Sequence, residues 1–97
     1  MMNQIILVGR ISNIQKLDKQ VILTLAITRP YKNTDTSMYD TDFIPTILYN
    51  TLAQNTLEYT KIGDIVGIKG RIEKTTPIDD LHIIAEKVTF LSTKGGN

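Results

Sequence analysis

Apolar and polar residues alternate in short runs along most of this chain. From Val21 to Arg29 the alternation is regular. Val21, Leu23, Leu25 and Ile27 fall on one side, and Thr24, Ala26 and Thr28 on the other, the period of a half-buried strand. Arg29-Pro30 is expected to end that strand, because proline cannot donate to the ladder. Ile5 to Ile11 is an earlier strand, apolar on both faces as far as Val8. Ile5, Leu7, Gly9 and Ile11 point one way; Ile6, Val8 and Arg10 point the other. A strand apolar on both faces needs cover on both, which predicts a subunit contact on its outer face. Tyr31 to Thr41 is polar and reads as a long hairpin loop. Asp42 to Tyr49 is a third strand, in which Pro45 marks an edge or a bulge. Thr51 to Thr60 is a helix: Thr51 with Gln54 makes a capping-box pattern, and Leu52, Ala53, Thr56 and Leu57 form one less polar face. Gly63 stands where a terminating glycine is expected. Ile65 to Lys74 is a fourth strand, 75–80 a turn containing Pro77, and Leu81 to Leu91 a fifth strand. Residues 92–97 form a flexible tail.

Five short strands, with a single helix between the third and fourth, is the element order of the OB-fold, a small all-β Greek-key barrel. One domain over residues 1–91 accounts for the pattern, with 92–97 as its tail. Barrel strands must tilt and coil, and glycines permit the sharp bends. This bears on KIGDIVGIKGRIE, Lys61 to Glu73, which has three glycines. Val66, Ile68, Gly70 and Ile72 are expected to face the core; Gly67, Lys69, Arg71 and Glu73 face out. Gly70 then lets another backbone approach closely, and Gly67 keeps the outer surface flat beside two cations. The run Gly67-Ile68-Lys69-Gly70 matches the GxxG clamp of KH domains, but that loop lies between helices and this one lies within a strand. The G-x-x-x-x-G-K-[ST] phosphate loop is absent.

Composition narrows the classes further. The chain has 97 residues, 41% hydrophobic and 22% charged, an ordinary balance for one small globular domain. It has no cysteine. That excludes disulfides and cysteine-based zinc sites, and fits a reducing compartment. The apolar run Ile5 to Val8 is too short for a signal peptide or a membrane span, so a cytoplasmic protein without membrane contact is expected. Net charge is +1, which by itself speaks neither for nor against nucleic acid. Catalysis has little to draw on. His82 is the only histidine and alternates with apolar residues in a strand. Asp40, Asp42, Asp79 and Asp80 read as solvated turn formers, although loop acids of this kind could touch a hard cation. No enzyme, cofactor or metal is expected.

The aromatic residues are few and well placed. Phe43 and Tyr49 are six apart, so both project from one face of the third strand. Tyr31 and Tyr39 flank the loop that leads into it. Tyr31, Phe43 and Tyr49 could form one stacking platform, since bases stack on aromatic rings whatever their sequence. Alternation does not reveal which face is inside, and Ile44, Thr46 and Leu48 on the opposite face could be buried instead. Cations expected near that surface are Arg10, Arg29, Lys32, Lys69, Arg71 and Lys74. Exposed aromatics beside cations make the groove that a single nucleic-acid strand needs. An OB-fold adaptor that recruits protein rather than DNA, in a replication or mobile-element complex, is the other binding class that fits.

Four segments, NQIILVGRI, LTLAITRPYKN, DFIPTILYNTLAQNTLEYTKIGDIVGIKGRIE and AEKVTFL, together span nearly the whole chain. In order and spacing they resemble bacterial and phage single-stranded DNA-binding proteins. The resemblance implies sequence-independent binding of single-stranded DNA in replication, recombination or repair. Tyr31 then stands at the family's aromatic position closing the second strand. Phe43 and Tyr49 stand on the stacking positions of the third. Arg10 and Arg71 belong to its two Gly-Arg motifs, and Arg29, Lys32, Lys69 and Lys74 join them as phosphate contacts. A homodimer or homotetramer is implied, with Ile6, Val8 and Ile44 at the subunit contact. The chain departs from the family in three places. Its last hairpin is short and carries Asp79 and Asp80, Pro45 replaces a polar residue, and it shows no acidic C-terminal tip for recruiting other proteins. Weaker binding, or fewer nucleotides per subunit, is the expected consequence.

Overall fold

The computed structural model describes residues 1–75 and 80–93. Five strands and one helix run in the order β1 (Ile5–Lys16), β2 (Gln20–Lys32), β3 (Tyr39–Tyr49), α1 (Asn50–Tyr59), β4 (Ile65–Thr75) and β5 (Asp80–Ser92). The strands close into a barrel of order β1-β2-β3-β5-β4. The expected turn around Pro77 and Asp79, and the tail beyond Thr93, lie outside the described residues.

Each strand contributes one row to the interior. Ile11, Val21, Leu23, Leu25, Leu48, Ala53, Val66, Ile68 and Ala85 form the buried core, with Leu7, Ile14, Ile27, Leu52, Leu57 and Val88 packed against it. β1 is longer than its apolar run. Its first half pairs with β4, from Ile5 opposite Gly70 to Arg10 opposite Ile65. Its second half pairs with β2, with a register shift between Ile11 and Asn13. A bulge bends a strand and raises its twist, so one strand serves two neighbours. β3 and β5 close the barrel through a short parallel pairing, Thr46 with Ile83 and Ile47 with Ile84. Thr46 is fully buried, and its hydroxyl donates to the Leu23 carbonyl at 2.8 Å.

Several boundaries differ from the sequence expectation, each for a physical reason. β2 continues past Arg29-Pro30 to Lys32, because residues between Thr28 and Lys32 fall where the β2–β3 register is interrupted. A missing N–H costs no ladder bond there. The loop is correspondingly short, and Tyr39 already belongs to β3. Pro45 is paired on one side only: it faces Thr24 of β2, and β5 joins β3 only from Thr46 onward. Ile72 does not reach the core. It is 39% exposed, and its N–H and carbonyl pair with the side-chain amide of Asn3 beyond the end of β1.

The helix buries Ala53 and Thr56, as its less polar face requires. The capping box does not form. The N-cap is Tyr49, with no side-chain cap bond, and Asn50 enters the helix with φ 52. At the other end Thr60 is the cap, its N–H bonding the Thr56 carbonyl at 3.0 Å. Gly63 therefore does not stop the helix. Its φ of 101 turns the chain into β4. Its N–H donates to the Ile11 carbonyl, while the Ile11 N–H donates to the Asp64 carbonyl, both at 2.8 Å. Asp64 is buried, and its carboxylate accepts the Lys61 N–H at 3.0 Å. The helix-to-β4 turn is thus fastened to β1 next to its bulge.

Gly70 and Gly67 have different jobs. A Cβ on Gly70 would land on the Ile84 carbonyl oxygen and lie 3.2 Å from the Ala85 Cα, all backbone that cannot step aside. A Cβ on Gly67 would meet side chains of Leu91 and Val8 at 3.7 and 3.8 Å, ordinary contact. Gly70→Ala is therefore expected to destabilise the fold by about 1–3 kcal/mol, the usual cost of overpacking. That lowers Tm by at least about 4 °C in a domain this size. Gly67→Ala should leave Tm unchanged or slightly raised. Thermal unfolding of both variants at one protein concentration checks this, and equal losses would show that the Ile84 contact is not the cause.

Candidate nucleic-acid interface

The open question about the third strand is decided by what fills the barrel. Thr46 and Leu48 are fully buried and Ile44 faces Leu25, itself buried, so this row of β3 points inward. Phe43, Pro45, Ile47 and Tyr49 must then point out. Phe43 is 63% exposed and Tyr49 44%. Along a strand rising about 3.3 Å per residue they stand roughly 20 Å apart. Register sets their neighbours: Phe43 beside Ala26, Pro45 beside Thr24, Ile47 beside Ile22, Tyr49 beside Gln20. Ala26, Thr24 and Pro45 are compact and Ile22 and Ile47 are apolar, so the two rings flank a largely apolar floor. Between them lies a hollow lined by Ile22, Pro45, Ile47 and Ile83, rimmed by Asp80, Leu81 and His82. His82 Nε2 lies 3.6 Å from an Asp80 carboxylate oxygen, so the lone histidine belongs to this rim.

Arg10 joins the same face. It lies opposite Ala26, which lies opposite Phe43, so the three form one transverse row over β1, β2 and β3. One guanidinium nitrogen donates to the Gly63 carbonyl at 2.7 Å. A guanidinium has five donors, so this bond anchors the side chain and leaves capacity for a phosphate.

Tyr31 is 59% exposed but belongs to a different hollow, in the β2–β3 hairpin, with Arg29, Lys32, Asp35 and Asp40. Regular alternation would put Tyr31 in the row of Leu25 and Ile27, away from Phe43, and the β2–β3 register is interrupted after Thr28. Asn33 builds the turn. Its side-chain oxygen accepts the N–H groups of Asp35 and Thr36, and its own N–H donates to the Met38 carbonyl at 2.8 Å. Lys32 Nζ sits 5.9 Å from the centre of the Tyr39 ring. Arg29 is not an idle cation. Its Nε and Nη2 donate to the two oxygens of Asp42, each at 3.0 Å. The hydrogen bond from Arg29 holds the Asp42 carboxyl below the usual carboxylate range.

The remaining cations lie elsewhere on the barrel. Lys69 and Arg71 project from β4, which neighbours β1 and β5 and not β3. Lys69 stands between Ile6 and Lys87. Arg71 is held by Glu73 at 2.8 Å and Glu86 at 3.1 Å, which raises its pKa further. Lys74 lies farther along β4, beside Leu81. The expected single cluster of six cations is therefore divided: Arg10 beside Phe43, Arg29 and Lys32 at the hairpin, and Lys69, Arg71 and Lys74 on β4. The β4 side also carries an apolar patch. Ile6 and Val8 are 67% and 54% exposed, and Leu91, 51% exposed, joins them across Gly67. Ile44 does not belong there, since it turns into the barrel on a strand that does not touch β1. Leu91 was not singled out from the sequence. The β4–β5 register shifts twice, so simple alternation fails in β5.

No helix among the described residues is long and apolar enough to cross a membrane. Comparison with known proteins agrees with the barrel. A single-stranded DNA-binding protein of Clostridium acetobutylicum is 31% identical, over 96% of this chain and 96% of its own length. A longer one from Listeria innocua is 30% identical over 97% of this chain, which spans 66% of that protein. Among solved structures, the Plasmodium falciparum single-stranded DNA-binding protein in complex with single-stranded DNA superposes with a TM-score of 0.73. It is 22% identical, with 95% of this chain and 96% of that one covered, and so shows the shared fold. The single-strand binding protein family matches residues 2–91, and the chain belongs to that family.

Proposed function

We propose that this protein binds single-stranded DNA without sequence preference, by stacking bases on Phe43 and Tyr49, in replication, recombination or repair. The observation that carries the reading is the exposure of both rings on one outer face of a barrel whose interior is already full. Solvent-facing aromatic rings gain nothing for the core, and bases offer them a flat apolar surface. Arg10 contacts phosphate beside Phe43, and Lys32 does so at the hairpin. The names of the bacterial relatives support DNA as the ligand, and the cytoplasm is the proposed place of action because bacterial DNA lies there. The task is binding, with no catalytic step assigned to any residue.

The apolar patch of Ile6, Val8 and Leu91 supports a homo-oligomer, with Lys69 and Lys87 at its rim. Contiguous apolar surface of this kind marks an interface. The adaptor reading has no comparable observation behind it.

Phe43→Ala and Tyr49→Ala should each weaken oligo-dT binding by about 1–3 kcal/mol, the usual worth of one base stack. Tm should stay within a few degrees of wild type, because exposed side chains contribute little to stability. Fluorescence anisotropy with calorimetry on the same samples measures both, and a large loss of Tm would mean that the rings support the fold instead. Binding should also weaken with salt, with a log–log slope of about −0.7 for each phosphate neutralised. Salt-independent binding would rule out the phosphate contacts. Ile6→Glu with Val8→Glu should lower the mass found by light scattering; an unchanged mass would remove β1 from the interface.

A further inference from the structure

We infer that Asp42 occupies the phosphate seat on Arg29, so that the β2–β3 hairpin holds a strong cation in reserve and sets the affinity for DNA. This rests on the proposed binding of single-stranded DNA and deepens it by naming a residue that limits it. Asp42 grips Arg29 in the two-pronged geometry by which arginine takes either a carboxylate or a phosphate. One arginine edge cannot serve both. The third nitrogen of the guanidinium is 3.9 Å from Asp40, which is itself fixed by Asn33 at 3.1 Å. The carboxylates therefore surround Arg29 from both β3 positions on its face.

The location makes the competition matter. Asp42 falls in the row of Ile44 and Thr46, on the side of β3 away from Phe43, and the Arg29 that it holds lines a hollow with the exposed ring of Tyr31 and with Lys32. A strand that reaches the Tyr31 ring and Lys32 passes its phosphates over this pair. The side chains are a little under half exposed, and ion pairs so exposed are weak enough to exchange partners. A phosphate must displace a carboxylate at Arg29, whereas at Arg10 it meets a bound neutral carbonyl. Arg29 thus adds little to binding until Asp42 lets go.

Asp42→Asn tests this with labelled oligo-dT across a salt series. The slope should steepen by about 0.7, the value for one more neutralised phosphate, and affinity at 0.1 M salt should rise about fivefold. The gain must depend on Arg29: it should vanish in the Asp42→Asn, Arg29→Ala double variant. Asp35→Asn removes one charge from the same hollow without touching the pair, and should gain much less. If Asp42→Asn unfolds, Asp42→Ser serves in its place. Wild-type binding with no gain in the variants, or a gain that survives loss of Arg29, would overturn this inference alone. A loss of affinity in Asp42→Asn would show that the pair only stiffens the hairpin. Absence of oligo-dT binding in every variant, wild type included, would instead overturn the reading on which it rests.

Discussion

Closure of the barrel depends on β4 and β5 meeting backbone to backbone at Gly70 and Ile84. No side chain fits between them, so the only residue that permits the contact is one without a Cβ. With β5 drawn in at that point, it can reach β3 and complete the ring through the parallel pair at Thr46 and Ile47. A closed ring has one inside. Once Leu23, Leu25, Leu48, Val66 and Ile68 occupy it, the opposite row of every strand is committed to solvent or to a partner. The exposure of Phe43 and Tyr49 follows from that closure and not from any preference of the rings themselves.

The charge arrangement follows from the same geometry. Cations that are scattered in sequence land on three separate parts of the surface, because β4 and β3 are not neighbours. Two arginines on this surface carry carboxylates: Arg29 holds Asp42, and Arg71 holds Glu73 and Glu86. The net charge of +1 thus belongs to a surface on which two of the arginines are already matched in place. Affinity for a polyanion must then rest more on stacking than on charge, which suits a binder indifferent to base sequence.

Much of the fold was legible because alternation reports burial directly wherever a strand is straight. The inward rows of β1 and β2 read correctly, as did the helix face of Ala53 and Thr56. Misreadings gather where the backbone departs from regular pairing. Pro30 lies at the interruption of the β2–β3 register. Ile72 lies beyond the reach of β1. Leu91 lies on a strand whose register slips twice. The capping box failed because β3 runs straight into the helix at Asn50, which leaves no room for Thr51 to serve as the cap. Nothing in the local sequence marks Asp64 for burial, yet it is 1% exposed. Its burial depends on the turn being pinned to Ile11, a contact between residues more than fifty positions apart.

The sequence by itself determined the element order, the spacing of Phe43 and Tyr49 on one face, and the glycine that the barrel wall requires. These depend on local periodicity and on the size of single side chains, both of which can be read along the chain. Only the tertiary structure decided which face of β3 is inside, which cations stand beside the rings, and which already hold a carboxylate. Those depend on how distant strands are ordered around the barrel and on which rotamers meet across it. Alternation has two solutions for every strand, and only closure of the ring selects one.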